Sequence, residues 1–458
     1  MKPILNALSK ITGIDEALFY GLLARSCQGL SGFVTLLMIL NFMGPTQQGF
    51  YYTFNSLLSL QLVFELGLSF VILQTTAHFF SNLEWTNQGT MTGPDQDVQK
   101  TSVFLKQSIK IYGLIALIYS CLLIPAGHTF FGLKANEAVH FSWALPWALV
   151  VLGTAMNLCL SPLFAMIEGS GRVKDIYHFR AKLFILSSSG AWLTLYLGYG
   201  LFMIAMNVWI TVLFSLWWLT KHYRKLVIQL FTPSKLTVEF IWKEEIWPMQ
   251  WRVAISWISG YFISQLSVPL LFYYGGGVVS GQMGVSLALT NLLSTLCLTW
   301  ITLRSPQMGR LVAQQRVAEL DQLFGKILNE SIIAFTLGAI VLGIAVNVAN
   351  HHGFGHRFLS ILPMTMLLIS QLFSHITGGF SLYLRAFRKD PFMPFSVVGA
   401  ILIGTSSWYS AAYFSSTGVC LSLLLVNSLY GFPTTIWLWK HCKKIWATSE
   451  VNHVEAFN

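Results

Sequence analysis

Apolar residues along this chain are grouped into stretches of membrane-spanning length, separated by polar joints. A helix needs roughly 20 mostly apolar residues to cross a bilayer, so each stretch predicts one transmembrane helix. The predicted helices cover residues 17–42, 47–73, 107–131, 139–167, 180–200, 203–221, 248–273, 280–303, 326–348, 358–383, 393–414 and 417–439. The pattern predicts an all-α integral membrane protein with about twelve transmembrane helices.

Basic residues are distributed asymmetrically among the joints. All of the 28 Lys and Arg except Arg25, Lys134 and Arg357 lie in or next to every second joint or in the terminal segments. Because Lys and Arg concentrate on the cytoplasmic side of membrane proteins, these joints and both termini are predicted to be cytoplasmic. The number of helices is then even.

Composition agrees with a membrane protein, because 54% of residues are hydrophobic and only 10% are charged. A net charge of +10 in a soluble protein would suggest nucleic acid, but here the basic residues flank predicted spans, where they face the lipid bilayer. The six cysteines form no CxxC pair, which argues against a disulfide framework or a zinc site. We find no P-loop and no HExxH motif, so the sequence predicts a protein that is not an enzyme and has no cofactor.

The long joint at 221–247 divides the chain into halves of six predicted helices each, with boundaries at 1–230 and 231–458. Similar turns recur in both halves: 44–51 corresponds to 275–282, and 168–174 corresponds to 385–390. An even number of helices gives both halves the same orientation. We therefore expect two pseudo-symmetric six-helix lobes around a central cavity.

Short motifs in the first half carry a family resemblance. The run 40–74 resembles the opening of bacterial polysaccharide repeat-unit flippases, of the O-antigen type, in the multidrug/oligosaccharidyl-lipid/polysaccharide exporter superfamily. The residues that carry it are Gly44-Pro45, Gly49-Phe50-Tyr51 and Glu65-Leu66-Gly67-Leu68-Ser69, with Glu168-Gly169 and Arg304-Ser305-Pro306-Gln307-Met308 further on.

The resemblance implies alternating access between two lobes in the bacterial cytoplasmic (inner) membrane. The passenger would be an undecaprenyl-diphosphate-linked oligosaccharide, moved from the cytoplasmic to the outer leaflet under an H⁺ or Na⁺ gradient. Other polysaccharide assembly proteins are possible partners. Two alternatives stay open: a cation-coupled multidrug exporter of the same fold, which needs acidic cavity residues, and a membrane polysaccharide polymerase or ligase, which needs a large outer loop.

Arg25 and Glu65 are the ionisable residues placed deepest in the first half. Arg25 lies roughly 10 Å past the start of helix 1 and shares a face with Gln28, so it either lines a cavity or reaches back to the headgroups. Glu65, with Gln61 and Ser69 on the same predicted helix face, lies at a similar depth. It either positions Arg25, binds the coupling ion or forms a structural salt bridge.

The second half offers four candidates for substrate binding. Arg252 and Arg304 lie near the predicted cytoplasmic mouth, where they either capture a diphosphate or anchor the chain. Gln371 and His375 are four residues apart on one helix face, and His375 either titrates near neutral pH or is a hydrogen-bonded packing residue.

Overall fold

The computed structural model describes residues 16–86, 89–135, 141–231, 242–351, 357–387 and 391–455, without the side chains of 16–26, 135, 230–231, 249, 306 and 446–455. The chain divides into two compact units, one ending at Ile258 and the other beginning at Ser259. The predicted division at 230/231, and the cavity expected between the lobes, stay predictions.

The first unit contains ten helices in its described part, followed by the start of an eleventh. They are α1 (Glu16–Phe42), α2 (Pro45–Leu58), α3 (Gln61–Glu65), α4 (Leu68–Phe79), α5 (Asp95–Ala135), α6 (Ala144–Gly169), α7 (Val173–Tyr196), α8 (Phe202–His222), α9 (Arg224–Phe231), α10 (Trp242–Glu245) and α11 (Trp247–Ser264). Helix α7 packs between α1 and α8, and α6 packs against α4, α5 and α8.

The second unit consists of long helices in its described residues. They are α12 (Ser267–Ala313), α13 (Val317–His351), α14 (Ile361–Ala386), α15 (Met393–Val426), a π-helical turn (Asn427–Gly431) and α16 (Phe432–Glu455). Helix α12 packs against α13, α14 and α15, and α14 also packs against α16. At one end of this unit, Phe324, Tyr383 and Leu438 belong to a single buried apolar cluster.

Membrane-spanning helices account for most of the chain. Within the described residues, seven helical runs are long and apolar enough to cross a membrane, or eight when the bent pair Pro45–Glu65 and Leu68–Phe79 is one span. Two of these runs, Gln250–Ala313 and Met393–Ile445, have 64 and 53 residues. At about 1.5 Å per residue each is roughly 80 Å or longer, more than twice the hydrocarbon thickness, so each provides two spans. Length and composition thus support up to ten of the predicted twelve spans within the described residues.

Aromatic packing fixes α5 against α6 in the first unit. The rings of Phe54, Phe131 and Trp147 are fully buried and lie about 5 Å apart between centroids. The Trp147 indole also donates a 3.0 Å hydrogen bond to the Leu123 carbonyl. A Cβ atom at Gly127 would collide with this indole, so glycine is what lets the two helices approach.

One predicted helix is wrong, and two predicted breaks between helices are each confirmed at a single non-helical residue. The single helix expected at 47–73 is broken into α2, α3 and α4, and Leu66 and Gly67 adopt left-handed backbone angles at the second break. The gap expected at 274–279 is bridged by a helical run that is interrupted at Gly276. In α15, the gap expected near 415–416 is one non-helical residue, Ser415. Hydropathy reports span length, whereas these breaks depend on single backbone angles.

The described parts of the two long joints contact each other in the first unit. The joint after α4 forms a short antiparallel hairpin of β1 (Glu84–Trp85) and β2 (Met91–Thr92). The Gln229 side chain on α9 bonds both the amide and the carbonyl of Met91, at 2.9 and 2.8 Å. An all-α interior is therefore accompanied by one small hairpin outside the spans.

Candidate functional site

Glu65 stands at a break in the transmembrane path of the first unit. It ends α3 and is 8% exposed, and it is the one Asp or Glu side chain that is buried in the described residues. Leu66 and Gly67 then turn the chain with φ angles of 54° and 67°. A Cβ atom on Gly67 would collide with the Val253 side chain of α11, so close packing and the positive φ angle both favour glycine.

Two hydroxyl side chains, one just after the turn and one on α5, contact the Glu65 carboxylate. The phenol of Tyr112 on α5 donates a 2.7 Å hydrogen bond to Glu65 Oε1. The Ser69 hydroxyl donates to the same oxygen, the Ser69 amide lies 3.3 Å from it, and the two hydroxyls are 2.8 Å apart. We call Glu65, Ser69 and Tyr112 the carboxylate cluster.

A polar cavity adjoins the carboxylate cluster at Ser69. It has a volume of about 280 Å³ and lies among α4, α6, α7 and α8. Its polar lining residues are Ser69, Asn157, Ser161, Glu168, Arg180, Thr211 and Ser215. Arg180 and Glu168 form an ion pair of 2.7 Å, so this cation is already neutralised by its neighbour. The first unit thus contains polar space at membrane depth beside its buried acid.

The carboxylate cluster is suited to exchange a small cation. Both hydroxyl groups can rotate. A hydroxyl that now donates to the Glu65 carboxylate could therefore accept a hydrogen bond from the same group once it is protonated. The same three oxygens are hard ligands of the kind that Na⁺ prefers over nitrogen or sulfur. No group of three or more His, Cys, Asp or Glu that could hold a metal ion occurs among the described residues.

The other predicted site residues of the first unit take separate positions. Arg25 belongs to α1, but its side chain lies outside the described part of the chain, so its pairing with Glu65 stays a prediction. Gln28 is exposed on α1, and Gln61 is half-buried at the start of α3. The Arg252 guanidinium is exposed and lies over the Trp251 ring, 5.5 Å from its centroid.

In the second unit, the predicted residues belong to a polar seam between α12 and α14. Gln371 donates a 2.9 Å hydrogen bond to Asn291, and one turn further along His375 meets Ser294 at 3.1 Å. Arg304 is exposed at the far end of α12 and bonds Gln307. No hydrogen bond or ion pair joins two of the eight predicted site residues where their side chains are described.

His375 is buried, with a hydroxyl partner on each ring nitrogen. Ser331 donates to the Cys297 carbonyl at 2.8 Å, so its oxygen accepts from Nε2 of His375 at 2.9 Å. Nδ1 then accepts from Ser294, and the ring stacks on Phe335 at 4.9 Å. This neutral tautomer is fully hydrogen-bonded, as expected for a packing histidine.

Tyr112 is the cluster member that sequence reasoning missed. Tyrosine near a helix end is usually interfacial, and residue 112 lies close to the expected start of its span at 107. A signal was present, since Tyr112 and Tyr119 recur at a seven-residue interval on one helix face and both are fully buried. Two buried phenols on one face of a span need hydrogen-bond partners, which are Glu65 and the Leu58 carbonyl.

Whole-chain comparison relates this architecture to known transporters. No family model and no curated protein matches the sequence. An inward-facing multidrug resistance MATE family transporter of the MOP superfamily matches with a TM-score of 0.61 at 12% identity, covering 93% of this chain and 99% of that chain. The chain has the MATE/MOP fold. An outward-facing multidrug resistance MATE family transporter matches with a TM-score of 0.51, also at 12% identity, over 94% of this chain and 96% of that chain.

The MATE/MOP fold confirms the fold class expected from the sequence. A third match, to a MOP superfamily transporter from Pyrococcus furiosus, has a TM-score of 0.50 and 12% identity, with 94% and 96% of the two chains covered. Its published description states that reverse polarity of the binding pocket suggests a different function for that protein. The shared fold therefore does not by itself assign a ligand to this chain.

Proposed function

We propose that this protein is a flippase that moves polyprenyl-diphosphate-linked oligosaccharide repeat units across the bacterial inner membrane by alternating access. The observation that carries transport is the MATE/MOP fold over 93% of the chain. A fold of membrane-spanning helices with short outer joints offers no place for a polymerase or ligase domain. The choice of a lipid-linked oligosaccharide as the passenger rests on the sequence motifs that resemble those of flippases.

Charge at membrane depth favours an anionic passenger. Glu65 is the one buried carboxylate among the described side chains, and that carboxylate already accepts bonds from Tyr112 and Ser69. A cationic drug needs acidic groups that are available in the cavity, whereas a diphosphate needs cations and hydrogen-bond donors. We propose that Arg25, Arg252 and Arg304 contact the diphosphate. The amides of Gln28, Gln61 and Gln371 are proposed to line the sugar path, whereas His375 is buried and hydrogen-bonded as a packing residue.

We further propose that the carboxylate cluster couples transport to an H⁺ or Na⁺ gradient. Glu65 lies at a helix break, where a change in its charge alters the bonds that hold α3, α4 and α5 together. A group that takes up a cation in one conformation and releases it in another shifts the population between the two. The geometry of the cluster supports this role, because the hydrogen bonds among its three side chains can rearrange when a cation binds.

Leaflet-resolved transport is the direct test. The purified protein would be reconstituted into vesicles containing a fluorescent undecaprenyl-diphosphate oligosaccharide in one leaflet, and its appearance in the other leaflet would be followed with a membrane-impermeant quencher. We expect movement that depends on an imposed H⁺ or Na⁺ gradient. Deletion in the host should leave the lipid-linked oligosaccharide in the cytoplasmic leaflet.

Matched measurements separate the alternatives. Vesicles loaded with a cationic dye should retain it under the same gradient, and gradient-driven dye transport without glycolipid movement would contradict the proposal in favour of drug export. Replacing Arg25 by Ala should abolish glycolipid movement at unchanged protein abundance, whereas Arg25→Lys keeps the charge but loses the planar guanidinium. Normal movement by Arg25→Ala would remove Arg25 from the site.

A further inference from the structure

A second cavity in the first unit is lined by basic and aromatic side chains where α7 begins and α8 ends. Its volume is about 540 Å³. We call it the basic pocket and define it by three cations and three aromatic residues of its lining: Arg172, Lys182, Lys221, Phe179, Phe214 and Trp217. It lies on the side that the distribution of Lys and Arg predicts to be cytoplasmic.

Charge in the basic pocket is unbalanced. Asp175 is the one carboxylate of the lining, and it pairs with Arg172 at 3.3 Å. Burial raises the pKa of the Tyr223 phenol, so the phenol stays protonated and donates to Asp175 at 3.5 Å. Neither Lys182 nor Lys221 has a carboxylate partner within the described side chains. The ammonium of Lys221 instead lies over the Trp217 ring, 4.8 Å from its centroid.

Two other basic residues on the predicted cytoplasmic side form ion pairs with carboxylates. Arg180 pairs with Glu168 at 2.7 Å, and Lys100 pairs with Glu245 at 2.7 Å. Positive-inside orientation alone therefore does not require unpaired cations to converge on one cavity. Two uncompensated lysines that share a partly enclosed space repel each other, and an anion between them would remove that cost.

An exposed apolar strip continues from the two lysines along both helices. On α8, Lys221, Trp217 and Leu213 recur at four-residue intervals, so they form one column on the helix surface. On α7, Lys182 is followed in the same way by Leu186. Leu213 and Leu186 are 59% and 46% exposed. A cation followed by an aromatic ring and then by an alkyl surface matches the order of groups along a phospholipid.

We propose that the basic pocket binds the phosphate of an anionic phospholipid, with an acyl chain lying on the strip formed by Leu213 and Leu186. Lys182 and Lys221 hold the phosphate, and the Trp217 ring packs at the level of the glycerol backbone. Basic pockets between transmembrane helices on the cytoplasmic side commonly bind lipid headgroups. The pocket involves none of the residues proposed for glycolipid transport, so the two proposals stand independently.

Lipid titration of the purified protein tests the assignment. The delipidated protein in a neutral detergent would be titrated with phosphatidylglycerol and, separately, with phosphatidylcholine of the same acyl chains, and bound lipid would be counted by native mass spectrometry. Lys182→Gln with Lys221→Gln should weaken phosphatidylglycerol binding about tenfold or more and leave phosphatidylcholine unchanged. The matched control, Lys326→Gln with Lys440→Gln, removes two exposed lysines of the second unit and should change neither lipid by more than about twofold. Equal weakening by both pairs, or none, would overturn the proposal.

Two further arms identify the source of the phosphate and the role of the strip. Leu213→Gln should weaken dioleoyl-phosphatidylglycerol but not dihexanoyl-phosphatidylglycerol, and an equal effect on both would overturn the acyl-chain contact. Inorganic pyrophosphate should displace the lipid only at much higher concentration. Undecaprenyl diphosphate that displaced phosphatidylglycerol at tenfold lower concentration would overturn the phospholipid assignment and make the pocket a glycolipid site. Melting temperatures without lipid verify that each variant is folded.

Discussion

Tyr112 and Glu65, which are 47 positions apart in the sequence, are joined by a 2.7 Å hydrogen bond from the phenol to Oε1 of the carboxylate. This bond links the middle of α5 to the break between α3 and α4. A buried carboxylate at membrane depth is costly unless donors surround it, and the bend at Leu66 and Gly67 is what brings Ser69 to it as a second donor. The backbone break and the buried acid are therefore parts of one arrangement.

Replacing Tyr112 by Phe should damage both stability and transport. The variant leaves the buried Glu65 side chain with one donor fewer, which should cost about 1–3 kcal/mol because a buried acceptor loses a partner. Thermal unfolding in detergent and the vesicle assay measure the two effects. Tyr119→Phe is the matched control, because it removes a phenol of equal burial on the same helix that donates to the Leu58 carbonyl instead. Equal transport by the two variants would argue against a functional cluster.

Replacing Glu65 by Gln should abolish the dependence of transport on the coupling gradient. The amide keeps the size of the side chain and can still accept from Tyr112, but it cannot bind or release a proton at physiological pH. Glycolipid movement measured with and without an imposed H⁺ or Na⁺ gradient reports the difference. If the variant responded to the gradient as the natural protein does, Glu65 would have a structural role only.

The sequence predicted the spans because hydropathy depends on composition, which is local. It also predicted that Glu65 is buried among polar residues, and Ser69 is one of them. It did not predict how they meet. The expected continuous helix would have placed Ser69 one turn beyond Glu65, whereas the observed contact crosses a left-handed turn. The positive φ angle at Gly67 occurs where the chain packs closely against α11, which is far away in the sequence.

Contacts between side chains on distant helices could not be predicted from the sequence either. His375 could be read as a titrating or a packing residue because the hydroxyls that decide the matter, Ser294 and Ser331, come from α12 and α13. The basic pocket has the same origin, since Lys182 and Lys221 belong to helices that hydropathy treats one at a time. The sequence indicates which polar residues lie at membrane depth, but their hydrogen-bond and ion-pair partners depend on tertiary contacts.

Replacing Gly67 by Ala should destabilise the first unit. The added methyl group meets the Val253 side chain, and a positive φ angle is unfavourable for alanine, so we expect a loss of about 1–3 kcal/mol. Gly260→Ala in α11 is the control: no atom lies near its added Cβ, and replacing a helical glycine should stabilise by about 0.5–1 kcal/mol. The Gly67→Ala, Val253→Ala double variant should recover part of the loss. Unfolding midpoints for all three variants would reveal whether steric contact is the cause.

Replacing Ser331 by Ala should destabilise the second unit without changing the pH dependence of transport. The variant leaves Nε2–H of His375 and the Cys297 carbonyl without their shared partner, and stranded buried polar groups cost about 1–3 kcal/mol. Ser331→Thr keeps a hydroxyl at the same place and should restore most of the stability. A neutral, fully hydrogen-bonded imidazole is not expected to take up a proton during the transport cycle. The pH profiles of glycolipid movement should therefore coincide for the natural protein and both variants. A profile that shifted for Ser331→Ala but not for Ser331→Thr would show instead that His375 titrates during transport.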